Sequence, residues 1–330
     1  MSMDLNTKAI VRNAYRITSD RRHTCLRVRV PGGHLQAKYL SLIQRIAEEY
    51  GNGTVHITIR QGFEIPGILF AKIPEVNQEL EPFLDALEGA IGVSFDDTSM
   101  GYPAAGTRNV SACIGNRVCP FANYDTTALA QRIEATIFPN HHHVKVAVTG
   151  CPNDCVKAHM QDFGIIGQAA VEIETDRCIG CEACVSNCRK RVTGALALHN
   201  NMPVRDARRC IGCGECVLKC PTGAWSRHPE KYYRMVILGR TGKKNPRLAA
   251  SFLEWGTEAV ILGILRNVYA FIDQYIDRSL PKEHLGYIVD RVGYPVFRAA
   301  VLDGITLNPQ ASVAEQLEFH GYRYVMEPPE

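Results

Sequence analysis

A chain of 330 residues is long enough to bury large cores and to hold one large or two to three smaller domains. Its 46% hydrophobic and 22% charged residues are the balance of an ordinary soluble globular protein. A formal charge of +3 without any basic, aromatic-interleaved stripe argues against a nucleic-acid partner. No apolar run follows Met1-Ser2-Met3-Asp4, so no secretory signal is expected. The most apolar late stretch, 259–272, is broken by Arg266 and Asn267 and is too short to span a bilayer, which leaves the cytoplasm as the expected compartment.

Taken in order, residues 25–30 alternate as a strand and Pro31-Gly32-Gly33 turns the chain. Leu35, Leu42, Ile43 and Ile46 suit an amphipathic helix over 35–50, closed by Gly51. Val55, Ile57 and Ile59 predict a second strand whose other face carries His56, Thr58 and Arg60. A short extended piece at 65–67 and a helix over 75–87 complete a β-α-β-β-α order, the mark of a small antiparallel-sheet α+β unit. Asp125 is placed to cap a helix reaching about residue 137, and 144–148 reads as a buried strand feeding a turn at Cys151. Another strand is expected over 164–173. Beyond residue 231 the pattern gives a strand at 232–238, a glycine-bearing cationic loop at 239–247, and long helices at 248–276 and 295–303.

Cysteine spacing says more than any of these elements. Of 13 cysteines, 12 fall into three sets of four, a grouping foreign to a secreted disulfide framework and suited to thiolate–metal chemistry in a reducing compartment. Cys25 is left over, an inert thiol in a strand. The first set, Cys113, Cys119, Cys151 and Cys155, arrives as two close pairs, Cys-x5-Cys and Cys-x3-Cys, which suits one iron–sulfur cube. Helical spacing would put the second pair on one face, while Gly150 allows close backbone approach. The other two sets, Cys178/Cys181/Cys184/Cys188 and Cys210/Cys213/Cys216/Cys220, form an internal repeat with a 32-residue period. Each half is Cys-x2-Cys-x2-Cys-x3-Cys, the two-cluster bacterial ferredoxin pattern, whose fourth cysteine ligates the other cluster. Cys178, Cys181 and Cys184 are therefore assigned with Cys220, and Cys210, Cys213 and Cys216 with Cys188. Structural zinc also uses Cys-x2-Cys pairs, but a third cysteine after two more residues, twice over, favours iron–sulfur. Each oxidised cube with four thiolates carries about −2, so part of the basic excess is internal counter-charge.

The first quartet and its flanks, Thr107-Arg108-Asn109-Val110 and Thr58-Ile59-Arg60-Gln61, resemble the sirohaem-dependent sulfite and nitrite reductases over nearly the whole chain. The layout with a ferredoxin insert most resembles the catalytic C subunits of anaerobic sulfite reductases. The resemblance implies an α+β fold: a ferredoxin-like unit at 1–75, a mixed-sheet sirohaem/[4Fe-4S] domain at 76–173 and 229–330, and an inserted two-cluster ferredoxin domain at 174–228. It implies that Cys155 bridges the cube to sirohaem, and that Arg60, Arg108 and Lys145 hold the anionic substrate. His143 stands where many relatives carry another lysine, which leaves the substrate, sulfite or nitrite, open. His141 and His142 are read as a solvated loop. By the same resemblance Arg240, Lys243, Lys244 and Arg247 meet sirohaem carboxylates, and Asn116 and Arg117 contact the tetrapyrrole or donate to the cube.

No Gly-x-Gly-x-x-Gly follows a strand, so electrons must come from another protein; the resemblance implies flavin and iron–sulfur donor subunits using NADH. Larger relatives carry two related halves, whereas this chain has one, so a two-fold oligomer with sites shared between chains is expected. The reading from another class is a multi-cluster electron carrier without sirohaem, against which the first quartet and the cationic segments both argue.

Overall fold

The computed structural model describes residues 14–87, 89–91, 109–138, 142, 144–280 and 283–319, which belong to two compact units. The first draws on Met1–Ser111, Thr127–Lys145 and Val268–Ile288, the second on Ala112–Thr126, Val146–Asn267 and Val289–Glu330.

The chain begins with β1 (Tyr15–Ile17), β2 (His23–Val28), α1 (Leu40–Glu49), β3 (His56–Ile57), β4 (Phe63–Leu69) and α2 (Ile73–Leu87). These strands make an antiparallel sheet in the order β1-β2-β4-β3. Alternation along β2 buries Thr24, Leu26 and Val28 and turns Cys25 and Arg27 to the other face. Leu26 and Val28 share one core with Ile65 and Ile68 of β4, Ile43 and Ile46 of α1, and Val76, Leu80 and Phe83 of α2. The helical apolar residues recur at three- and four-residue steps, as an amphipathic face must. The α+β, antiparallel character expected of this segment is what the sheet shows.

Three local differences have plain causes. The first helix starts at Leu40 because 37–39 form a separate 3-10 turn. The strand expected over 55–59 contracts to two residues at the sheet edge, with Ile57 73% and Ile59 95% exposed. Its continuation is a turn: Thr58 N–H donates to Gly62 O (2.9 Å), Gln61 N–H donates to Thr58 O (3.0 Å), and Gln61 takes a left-handed φ of 62°. Gly62 cannot be replaced there, since a Cβ would stand 2.6 Å from Val28 O. Cys25 is half-buried, and burial, with Glu64 adding, pushes its thiol up to about 11, in keeping with an inert thiol.

Next come β5 (Ser111–Ala112), α3 (Thr126–Ile137), β6 (Val146–Thr149), β7 (Phe163–Gln168) and β8 (Val171–Ile173). They are followed by α4 (Ala183–Arg191), β9 (Leu196–His199), β10 (Met202–Arg205), α5 (Glu215–Lys219) and β11 (Trp225–Arg227). The chain then runs through β12 (Tyr232–Ile237), β13 (Ala250–Gly256), α6 (Glu258–Tyr275), α7 (Leu285–Val292), α8 (Tyr294–Leu302) and β14 (Ser312–Val313). The larger sheet has the order β14-β13-β12-β7-β6-β5, with β6 and β7 parallel and β12 antiparallel to both its neighbours. Both β6 and β7 are buried along their whole length, as central strands covered on both faces are. Two small pairs, β8 with β11 and β9 with β10, lie outside that sheet.

The strand expected at 164–173 is thus two, β7 and β8, which belong to different sheets. The helix expected over 248–276 begins as β13, whose pairing with β12 overrides the local pattern, and only α6 is helical. α7 was not expected, although Leu285, Ile288, Val289 and Val292 recur at helical steps and the first three are buried. Among the described residues no helix is long and apolar enough to cross a membrane.

The first unit holds a fully buried ion pair. Arg29 (1% exposed) donates from Nη2 to Glu134 Oε2 on α3 (0% exposed), and Glu134 Oε1 also accepts the Val110 N–H at 2.6 Å. Removing one partner strands a buried charge. Glu134→Ala should therefore lower the stability of this unit by about 3–5 kcal/mol, measured as a shifted urea unfolding transition.

Candidate active site and cluster sites

In the first unit a cavity of about 330 Å³ is lined by Arg16, Arg27, Arg29 and Arg60, with His56, Thr58, Glu64 and Asn109 among its other walls. The Thr58 turn delivers Arg60 to it: Thr58 Oγ1 accepts the Gly62 N–H at 3.1 Å and so closes the loop that carries the arginine. Arg60 therefore sits on a turn rather than in the expected strand. Its carbonyl accepts from Asn109 Nδ2 at 3.2 Å, and Asn109 Oδ1 is buried with no hydrogen-bond partner among the described residues. A buried acceptor left unpaired is costly, so a donor on a bound ligand, or a water, fits this place. Glu64 offsets part of the charge, holding Arg27 at 2.8 Å and Arg16 at 3.8 Å, while Arg29 is held by Glu134. What remains is a cationic recess suited to a small oxyanion.

Arg16, Arg27, Arg29 and Asn109 are members that sequence reasoning did not assign to the site, although Arg27 and Arg29 alternate on β2 and Asn109 lies in the Thr107–Val110 segment. Arg108 and His143 lie outside the described residues, as does His141. Lys145 is half-buried just ahead of β6 and is not in the lining of this cavity. His142 differs from a solvated loop residue: its Nε2 pairs with Asp273 Oδ1 at 3.0 Å and its ring tilts against Tyr269.

In the second unit the first cysteine quartet is gathered around the end of β6. Burial pushes the Cys151 thiol up to about 11, with Cys119, Cys155 and Cys113 all adding to the rise, so the four sulfurs feel one another. Gly150 N–H donates to Cys113 Sγ at 3.2 Å, and a Cβ on Gly150 would collide with Ala122 Cβ at 2.4 Å. Cys151 and Cys155 are not on a helix. Asp154 and Lys157 take left-handed backbone (φ 49° and 58°), and the Asp154 carboxylate accepts from the Ala158 and His159 N–H groups, fixing a turn. That turn leaves Cys155 exposed.

The repeat cysteines are sorted across its two halves. Cys178, Cys181, Cys184 and Cys220 line one cavity; Cys188, Cys210, Cys213 and Cys216 line another. Burial pushes Cys216 up to about 12, with Cys213 and Cys210 adding. Burial also pushes Cys220 up, but bonds from Thr222, Trp225 and Ala224 outweigh it and bring the thiol down to about 7. Among the described residues no set of three or more His, Cys, Asp or Glu is close enough to hold a single metal ion. The quartets are spread around cavity walls, as thiolates at the separate corners of a cube must be.

Around Cys155 the fit to a tetrapyrrole is mixed. Ile114 and Val118, between the first two cysteines, are exposed apolar side chains that a macrocycle face would cover. Asn116 is exposed, and Arg117 pairs with Asp125 at 3.7 Å. In the cationic loop Arg240 and Arg247 both grip Asp290, the latter at 2.7 Å. The loop is also closed on itself, by Arg240 N–H to Arg247 O and Arg247 Nε to Leu238 O, each 3.0 Å. Lys244 is exposed and Lys243 half-buried.

Two domain families match the chain: "Nitrite and sulphite reductase 4Fe-4S domain" over residues 104–307, and "Nitrite/Sulfite reductase ferredoxin-like half domain" over 17–83. The chain belongs to the sirohaem-dependent nitrite and sulfite reductase family. It is 46% identical over 319 residues to the C subunit of the anaerobic sulfite reductase of Salmonella typhimurium, covering 96% of this chain and 95% of that protein. The coenzyme F420-dependent sulfite reductase of Methanocaldococcus jannaschii is 31% identical over 50% of this chain and 25% of its own length. In fold, the chain resembles dissimilatory sulfite reductase I, with a TM-score of 0.65 at 16% identity over 92% of this chain and 73% of that one.

The thiol environments have a direct chemical consequence. In iron-free protein at about pH 7.5, iodoacetamide should modify Cys220 well before Cys151 and Cys216, because only the thiolate reacts. Peptide mapping against time reads the order, and raising the pH should narrow the gap.

Proposed function

We propose that this chain is the catalytic subunit of an anaerobic-type sulfite reductase, reducing sulfite to sulfide with six electrons. The observation that carries the reading is the arginine-lined cavity around Arg60 in a chain that also holds three cysteine quartets. An electron carrier has no use for an anion pocket. In this reading the family's sirohaem, coupled to the cluster on Cys113, Cys119, Cys151 and Cys155, supplies the iron that passes electrons into sulfur. Arg60, with Arg108, recognises the sulfite oxygens by bidentate hydrogen bonds and neutralises the dianion. Lys145 and His143 complete the cation set and supply protons. Cys155, exposed at its turn, would be the thiolate shared by cluster and sirohaem, and Asn116 and Arg117 would contact the tetrapyrrole or donate to the cluster.

The cationic loop is read as the carboxylate site. Lys243 and Lys244 offer charge there, while Arg240 and Arg247 shape the loop through Asp290. Residues 174–228 are read as an inserted ferredoxin domain with two further [4Fe-4S] clusters, between sirohaem-domain segments 76–173 and 229–330, after a unit at 1–75. Donor subunits with flavin and iron–sulfur centres, using NADH, feed it in the cytoplasm. A two-fold assembly with sites shared between chains accounts for a single half carrying both the cations and the quartet. A mixed oligomer of Arg108→Ala and Cys155→Ala chains should then recover activity that neither has alone.

The decisive test is anaerobic purification, an optical spectrum and acid-acetone extraction. Sirohaem with about thirteen irons per chain, twelve in three cubes and one at the haem, is expected. Sulfite added to the reduced sample should perturb its spectrum, and nitrite in the same assay decides between the two substrates. Cluster iron without tetrapyrrole, from cells able to make sirohaem, would leave an electron carrier. Arg60→Ala should lower kcat/KM for sulfite by about 100-fold or more without loss of iron, as the removal of an anion-stabilising donor does.

A further inference from the structure

The two halves of the cysteine repeat are equivalent in spacing but not in surroundings. Gly212, between Cys210 and Cys213, is buried; a Cβ there would lie 2.9 Å from both Gln168 Cβ and Trp255 Cη2. Gly214 is buried too, with Asn123 Oδ1 at 3.1 Å and Arg227 Nε at 3.0 Å from the place of its missing Cβ. The matching residues of the first half are Gly180, whose nearest neighbour is Asn201 O at 3.0 Å within the repeat itself, and Glu182, which is exposed. Ile179 beside it is 69% exposed, and Cys181 is exposed as well.

One side chain joins the second half, at its buried Gly212, to the first quartet. Asn123 Nδ2 donates to Gly212 O and Gly167 O, both at 3.4 Å, while its backbone N–H donates to Gly150 O at 2.8 Å. Gly150 is covalently bonded to Cys151 and donates its own N–H to Cys113 Sγ at 3.2 Å. Arg227 fixes the asparagine, Nε to Asn123 Oδ1 at 3.1 Å and Nη2 to Pro120 O at 3.3 Å. A continuous run of covalent and hydrogen bonds thus leads from Cys213 through Gly212 and Asn123 to Gly150 and Cys151. Asn123 is itself buried, which holds the path away from water.

We propose that the Cys188/Cys210/Cys213/Cys216 cluster is the inner one, linked through Asn123 to the Cys113/Cys119/Cys151/Cys155 cluster, and that the Cys178/Cys181/Cys184/Cys220 cluster receives electrons from outside. This rests on the reductase reading above. Each event moves a single electron: the external donor, an iron–sulfur or flavin protein, is oxidised by one as the outer cluster is reduced by one, and the same electron passes to the inner and then to the coupled cluster. Asn123 is a positioning residue, touching neither substrate nor iron. It holds the ligand loop of one cluster against the peptide that carries the ligands of the next.

The test uses the complete protein, with less than one electron per chain delivered by flash-reduced deazaflavin. Cluster bleaching reads the first phase and the sirohaem band reads the second. In Asn123→Ala with full iron content, the first phase should keep its rate while the second slows by about tenfold or more, the scale on which residues behind metal ligands act. Asn123→Gln, which restores an amide, should recover part of that loss. If Asn123→Ala does not retain iron, Arg227→Gln frees the same asparagine from its other side and should show the same slowed second phase. A second phase at the wild-type rate, in whichever of these two variants is fully loaded, overturns the proposal. Wild-type protein lacking tetrapyrrole or the third cluster would defeat the reductase reading instead, and is recognised before any flash is fired.

Discussion

Twelve thiols brought together in sets of four are the constraint on which this structure depends. Burial and mutual repulsion hold Cys151 and Cys216 far from the thiolate form, so the protein alone gains nothing electrostatic from the gathering. The apolar core beside the repeat is small: Ala169, Val171, Val185, Leu196 and Trp225, with Cys184 among them. On the proposed reading, iron and sulfide would supply the cohesion that a larger core supplies elsewhere, with proton release on their binding. The two neighbouring strand pairs, β8 with β11 and β9 with β10, are short, and they contribute Val171, Leu196 and Trp225 to that small core.

The first unit solves a different problem, the holding of like charges around an open recess. Arg27 and Arg16 share Glu64, and Arg29 is taken up by Glu134, which is buried behind the cavity and grips the backbone at Val110. With those three partly neutralised, the recess keeps a cationic surface without the full self-repulsion of four arginines. The Thr58–Gly62 turn then fixes where Arg60 enters, so that charge and shape come from separate parts of the sequence.

How much of this the sequence disclosed follows from how local each signal is. The quartets were legible because ligand spacing along a short segment is the chemistry itself, and the exchange of Cys188 and Cys220 between halves follows from the same spacing. The arginine cavity was not, because Arg16, Arg27, Arg60 and Asn109 meet only after β1, β2 and β4 pair. Apolar alternation misled at Ile57, at a sheet edge, and at Ile59, in the turn that follows it, both of which are exposed. It misled again at 250–256, where hydrogen bonds to β12 decide the matter in favour of a strand. The Cys151–Cys155 spacing fits a helix equally well on paper; the left-handed backbone at Asp154 and the bonds its carboxylate accepts make it a turn.

The exchange of cysteines between the two halves also bears on how the protein fails. Each cavity is completed by a cysteine from the opposite half, Cys220 in the first and Cys188 in the second. On the proposed reading, loss of the cluster at Cys178, Cys181, Cys184 and Cys220 would free Cys220 at the end of α5, the helix that carries Cys216 of the other cavity. On that reading, damage at one cavity is felt at the other.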